Sequence, residues 1–272
     1  MHFPFSKYHG LGNDFILIDD RQESFATEDS SLISRLCRRR TGIGADGLIL
    51  LQNSLQADYW MRIFNADGKE VAMCGNGLRC LMTFLRALGL AHSTNSILAG
   101  GKLYKCSFEG EEVSVQMGRA EKVSWNVNLS LEGKEMTAHF IHIGVPHAVV
   151  FVDDVNQIAV EELGREIRWH PLFQPQGVNV NFVSELAPSA LQMRVYERGV
   201  EAETLACGTG AAAAALAACR MLGCVSPIKM IMSSKEELNI RLSRDEEIEM
   251  VGGATFVFKG HFSQKEVQCI TV

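Results

Sequence analysis

Apolar and polar positions alternate along this chain in two rhythms. Short runs rich in β-branched and aromatic residues, at 47–51, 112–117, 140–143, 178–183 and 255–258, read as strands. Two stretches of strong helix formers, 78–88 and 211–222, read as helices, and both end near a glycine. Five successive alanines, Ala211 to Ala215, predict a helix closely surrounded by other backbone. The low-charge stretch from Leu205 to Cys219 falls short of the roughly 20 apolar residues that span a bilayer. It reads as a buried helix.

The pattern also repeats near half the chain length. GLGNDFILIDD at 10–20 and GVPHAVVFVDD at 144–154 both open on glycine, continue as an apolar run and close on Asp-Asp, at an offset of 144 − 10 = 134. MRIF at 61–64 and MRVY at 193–196 match at 132. Each is followed by a Cys-Gly-x-Gly that opens a predicted helix, and the cysteines, Cys74 and Cys207, lie 133 apart. Three matches in one order predict two structurally similar halves. The expected fold is α+β (α/β-type), with two pseudo-symmetric domains, each a curled β-sheet or barrel around a central helix. The expected halves are 1–118 and 119–261, with 262–272 returning to the first.

Composition narrows the function. The chain has 272 residues, 47% hydrophobic, 21% charged, and a net charge of −6 with no concentrated basic face, which excludes nucleic acid or a membrane surface as the expected partner. A small molecule fits better. The cluster Arg35, Arg38, Arg39 and Arg40 reads as the cationic end of a helix. None of the eight cysteines forms a C-x-x-C pair, so no metal is expected. The N-terminal residues carry no secretory pattern, and a cytoplasmic protein with reduced thiols is expected. GIGADG at 42–47 fits the dinucleotide fingerprint literally, but it precedes a predicted strand rather than a helix, which argues against nucleotide binding.

A cysteine at a helix N-terminus lies beside unpaired backbone N–H groups and a partial positive charge, which favours the thiolate. The glycines that follow let a ligand approach the backbone, and the first-turn N–H groups suit a carboxylate. If the two halves face one cleft, a thiolate on one side of a substrate Cα removes its proton while the opposite thiol delivers another. The stereocentre inverts without a cofactor. Cys37, Cys80, Cys106, Cys219, Cys224 and Cys269 lack the Gly-x-Gly context and read as core or incidental.

The motifs HGLGNDF (9–15), GIGAD (42–46), FNADG (64–68), MCGNG (73–77), VN (178–179), VYERG (195–199) and ACGTG (206–210) together resemble the diaminopimelate epimerase family. Proline racemases and phenazine-biosynthesis isomerases share that fold. Asn76 favours the epimerases over the former, and the cysteine pair favours them over the latter. The resemblance implies interconversion of LL- and meso-2,6-diaminopimelate without a cofactor, for lysine and peptidoglycan synthesis, by a homodimer. It implies Cys74 and Cys207 as the acid/base pair and His147 and Glu197 as support for the thiols and the substrate, with Glu197 among the substrate-binding residues. Gly75, Asn76, Gly208 and Thr209 match the carboxylate cradle, and Asn13, Asn65, Asn179 and Arg198 the positions that hold the distal end of the substrate.

One departure stands out. The family pattern G-N-P-H is here GVPH at 144–147, so Val145 replaces an amide. Loss of a polar reader predicts relaxed specificity, extending to glutamate. A thiol-redox protein cycling a disulfide between Cys74 and Cys207 is the rival reading, and a non-catalytic amino-acid binder a third. The redox reading does not explain the asparagines, Glu197 or Arg198.

Overall fold

The computed structural model describes residues 2–263. The chain divides into two compact units, one comprising the described residues up to Val115 together with those from Gly253 on, the other Gln116–Gly252. The return to the first unit begins at Gly253, ahead of the expected 262. The physical reason is strand pairing: β18 (Thr255–Ser263) lies antiparallel along β1 (His2–Gly10) over nearly its whole length. Residues 264–272, including Cys269, lie outside the described part.

In the first unit β1 turns into β2 (Asn13–Asp19), α1 (Ser30–Cys37) crosses over to β3 (Gly47–Gln52), and β4 (Tyr59–Asn65) returns antiparallel. The short β5 (Glu70–Val71) precedes α2 (Gly75–Ala87). Then β6 (Thr94–Ala99), parallel to β4, leads into β7 (Lys102–Glu109) and β8 (Glu112–Gly118). The sheet wraps α2, which touches β1, β2, β3, β4, β7 and β18.

The second unit repeats this order. β9 (Lys122–Leu131), β10 (Lys134–Ile143) and β11 (Val145–Phe151) are followed by α3 (Val160–Arg168), β12 (Asn179–Ala187) parallel to β11, and β13 (Ala190–Glu197). β14 (Ala202–Thr204), α4 (Gly208–Met221), β15 (Ile228–Ile231), β16 (Glu237–Leu242) and β17 (Ile248–Gly252) complete it. Here α4 is wrapped by β10, β11, β12, β15, β16 and β17. Residues Ala211 to Ala215 are all fully buried, as the alanine run predicts. The strand β18 does for β1 what β9 does for β10.

The central strands are buried on both faces. One face of β2 and β3, with Ile16, Ile18, Leu48 and Leu50, packs on Leu32, Ile33 and Leu36 of α1, and Ala148, Val150, Val180 and Phe182 pack likewise on Val160, Leu163 and Ile167 of α3. The opposite faces line the central helices. Strand register corrects the sequence match at 10–20. Phe15 pairs with Gly47 and His147 with Asn179, so β2 and β11 correspond at 147 − 15 = 132, two residues from the match read off the sequence. A slip of two preserves the alternation of a strand, so the apolar pattern alone cannot detect it.

The nucleotide-like glycines have packing roles. A Cβ at Gly42 would lie 2.1 Å from the Arg35 carbonyl oxygen, and one at Gly47 would lie 2.5 Å from that of Phe64. Gly47 opens β3, and no helix follows the motif.

Candidate active site

Both cysteines are N-cap residues in extended conformation, Cys74 ahead of α2 and Cys207 ahead of α4, and neither side chain caps its own helix. The first-turn N–H groups of Gly75, Asn76 and Gly77, and of Gly208, Thr209 and Gly210, therefore face the helix entrance without a capping side chain. Each thiol sits beside an anion site made by its own backbone.

In the first half, a two-residue hairpin turn aims Asn13 at Cys74. Leu11 (φ 59°) and Gly12 (φ 80°) both take positive φ, and Gly10 pairs with Asn13 across the turn. The Cys74 thiol donates to Asn13 Oδ1 at 3.6 Å, and Asn76 Nδ2 donates to the same oxygen at 3.2 Å. Beyond Asn13 lies a charge cluster absent from the expected site. Asn13 Nδ2 donates to Asp46 Oδ2 at 2.9 Å, Arg39 Nη2 reaches both Asp14 and Asp46 at 2.7 Å, and Lys7 pairs with Asp14 at 2.8 Å. Lys7 also donates to the Gly44 carbonyl. Burial opposes ionisation of Asp14, yet the hydrogen bonds and charges of Arg39 and Lys7 hold it down at about 2. Arg39 is thus a clamp between two carboxylates rather than a helix-end cation. Asn65 lies exposed at the end of β4.

In the second half, Cys207 is buried and its sulfur lies 3.5 Å from Thr209 Oγ1. His147 is fully buried on the inner face of β11. Burial first, then the charges of His142 and Arg198, push it down to about 3, so it stays neutral near pH 7. Its Nδ1 lies 3.2 Å from Asn181 Nδ2, which also donates to the Ala148 carbonyl at 3.2 Å. An amide nitrogen only donates, so Nδ1 accepts and the imidazole proton is on Nε2. Asn181 was not foreseen. A polar residue two positions from Asn179 in an otherwise apolar strand is the signal that marks it.

Asn179 Oδ1 accepts the Arg198 backbone N–H at 2.9 Å, and Arg198 Nη1 donates to the Gln176 carbonyl at 3.2 Å. Burial, with Arg168 nearby, lowers Arg198 from the usual guanidinium value. Glu197 accepts from the Thr204 hydroxyl at the base of the β13–β14 turn. Burial pushes Cys37 and Cys106 up to about 12, and Cys80 and Cys219 also upward, which holds them as thiols. Among the described residues, no group of three or more His, Cys, Asp or Glu is placed to hold a metal ion. Among the described residues no helix is long and apolar enough to cross a membrane.

The family model described as diaminopimelate epimerase matches residues 5–123 and 139–257. A diaminopimelate epimerase of Aquifex aeolicus is 40% identical over 97% of this chain and 99% of its own length. One of Flavobacterium psychrophilum is 42% identical over 78% of this chain and 79% of its own. Among solved structures, a Bacillus anthracis phenazine biosynthesis protein of the PhzF family superposes with a TM-score of 0.76 at 14% identity, covering 97% of this chain and 99% of that one. A hydroxyproline epimerase from Agrobacterium vitis gives 0.70 at 16% identity, covering 96% and 92%. These two share the fold.

Proposed function

Because the chain belongs to the diaminopimelate epimerase family, we propose that its epimerisation of 2,6-diaminopimelate is carried out by Cys74 and Cys207 acting as a two-base pair on one substrate carbon. The observation that carries this reading is the duplicated N-cap cysteine: two thiols at equivalent ends of two equivalent helices, each followed by Gly-x-Gly.

In this mechanism one cysteine acts as thiolate and the other as thiol, since two thiolates working on one substrate carbon would repel. The thiolate takes the Cα proton, and the electron pair of the broken C–H bond moves into the α-carboxylate. First-turn N–H groups at Gly75, Asn76, Gly208 and Thr209 stabilise that charge. The opposite thiol then donates its proton to the other face of the carbon. The pair ends with the roles exchanged, one sulfur having taken the Cα proton and the other having given one, so the reaction as proposed needs no cofactor. Neutral His147 and Glu197 support the second thiol and the substrate amine, while Asn13, Asn65, Asn179 and Arg198 hold the distal end, Arg198 by pairing with its carboxylate.

Epimerisation in D₂O tests the mechanism. During the first turnover the product acquires deuterium at Cα while remaining substrate stays unlabelled. Equal labelling of both would mean one base working on both faces and would overturn the two-cysteine reading. The same proposal extends to a cytoplasmic homodimer. The described cysteines, none of them in a disulfide, support a reducing compartment, and sedimentation of the purified protein tests the dimer.

A further inference from the structure

We propose that Asp46 and Arg79 are positioning residues for Cys74, locking the amides of Asn13 and Asn76 in one orientation so that the thiol faces a carbonyl oxygen. The inference rests on the proposed function, because it concerns how one member of the acid/base pair is presented.

The argument is an account of donors and acceptors. Arg79 Nη2 donates to Asn76 Oδ1 at 2.9 Å, Asn76 Nδ2 to Asn13 Oδ1 at 3.2 Å, and Asn13 Nδ2 to Asp46 Oδ2 at 2.9 Å. A guanidinium can only donate and a carboxylate only accept. The two ends of this chain therefore have fixed polarity. Reversing either amide between them sets N–H against N–H or oxygen against oxygen, an ambiguity that an asparagine without such ends retains.

Both ends are themselves anchored. Arg79 is fully buried, and its Nε donates to the Gly253 carbonyl at 3.2 Å. Asp46 Oδ2 also accepts the Asp14 backbone N–H at 3.1 Å, while its Oδ1 takes Arg39 Nη2 at 2.7 Å. Asp14 Oδ1 in turn accepts the Asp46 backbone N–H at 3.0 Å. Rotation of the Asp46 carboxylate breaks several bonds together. The Cys74 thiol donates into the Asn13 oxygen that this chain holds in place. An acceptor facing sulfur stabilises S–H over thiolate, so the arrangement presents Cys74 as a proton donor.

The second half has no equivalent device. By strand register Asp46 corresponds to Val178 and Asn13 to Val145, and on the helix Arg79 corresponds to Ala212. The hydroxyl of Thr209 beside Cys207 can donate or accept.

The test is site-resolved labelling of the wild-type protein and Asp46→Asn with iodoacetamide at one pH, with Cys74 and Cys207 quantified by peptide mass spectrometry. Position 46 is exposed, so the variant is expected to fold. With the carboxylate gone the Asn13 amide is free to turn, and Cys74 labelling should rise by about threefold or more relative to Cys207. Arg79→Lys keeps a donor-only end and should hold the ratio nearer the wild-type value than Arg79→Gln does. A ratio unchanged in Asp46→Asn, with an unchanged thermal transition, overturns the proposal. A second readout needs no variant: the side-chain NH₂ signals of Asn13 and Asn76 should be resolved and protected from exchange, and averaged, fast-exchanging signals would overturn it too. Labelling ratios are read without turnover. An active Cys74→Ser enzyme would instead sink the two-base function and leave the positioning result standing.

Discussion

The two halves of this protein share a backbone plan and differ in the polar side chains set on it. At 132 residues' separation Asn13 corresponds to Val145, Phe15 to His147, Gly47 to Asn179, Ile49 to Asn181 and Asn65 to Glu197. Among the candidate site residues, only the two N-cap cysteines and the glycines that follow them recur unchanged. The parts that recur, a thiol and a helix N-terminus in each half, are those that the proposed mechanism uses twice. A reaction that treats the two faces of one carbon alike needs two equivalent bases, whereas a substrate with distinct groups around that carbon needs distinct surroundings.

The strongest test of that division is to remove the shared part. Cys74→Ala and Cys207→Ala should each lower kcat by about 10³-fold or more, within the range assigned to a general acid or base, and by similar factors. An activity assay showing one variant near wild type would break the equivalence of the halves.

The glycines that follow the cysteines sharpen the contrast. A Cβ at Gly210 would lie 2.2 Å from Asn181 Oδ1, whereas at Gly77 its nearest neighbours would be the Cδ1 atoms of Ile49 and Ile63 at 3.1 and 3.2 Å and Cys74 Cβ at 3.4 Å. Gly210→Ala should therefore destabilise by about 1–3 kcal/mol and disturb His147 through Asn181, with Gly77→Ala costing clearly less, as urea unfolding would show. Asn181→Ile, which installs the first-half residue in the second, should cost about 1–3 kcal/mol by leaving buried His147 Nδ1 unpaired.

Acid should also separate the halves. His147 is held at about 3 against an ordinary 6.5. Above 6.5 both folded and unfolded chains are neutral there. Below it the unfolded chain binds a proton that the native one refuses, so stability falls as pH drops from 6.5 towards 3. Asp14, held at about 2 against 3.8, stabilises the first half above 3.8 and loses that contribution only between 3.8 and 2. Hydrogen exchange followed between pH 7 and 4.5 should loosen Gln116–Gly252 first, and His147→Gln should flatten the pH slope of the urea midpoint over that interval. The smallest expected effect concerns Val145. Slow Cα exchange of L-glutamate in D₂O, at about one hundredth of the diaminopimelate rate or less, should be detectable and be suppressed by Val145→Asn.

Much of this was legible in the sequence. The duplicated Cys-Gly-x-Gly, the central helices and the alanine run all lie in contiguous residues, and local pattern dictates them through helix propensity and the period of side chains along a strand. Repetition within one chain supplies its own control, because a chance motif does not recur in order at one spacing. Tertiary structure alone decided three things. It decided the strand register, because a two-residue slip leaves every side chain on the same face. It decided that the return to the first half begins at Gly253, with β18 laid along β1, because pairing between the chain's distant ends carries no local mark. It also decided the polarity of the amides. Asn13, Asn76 and His147 are visible as residues, but which of their atoms donates and which accepts depends on Asp46, Arg79 and Asn181, brought alongside by folding from elsewhere in the chain.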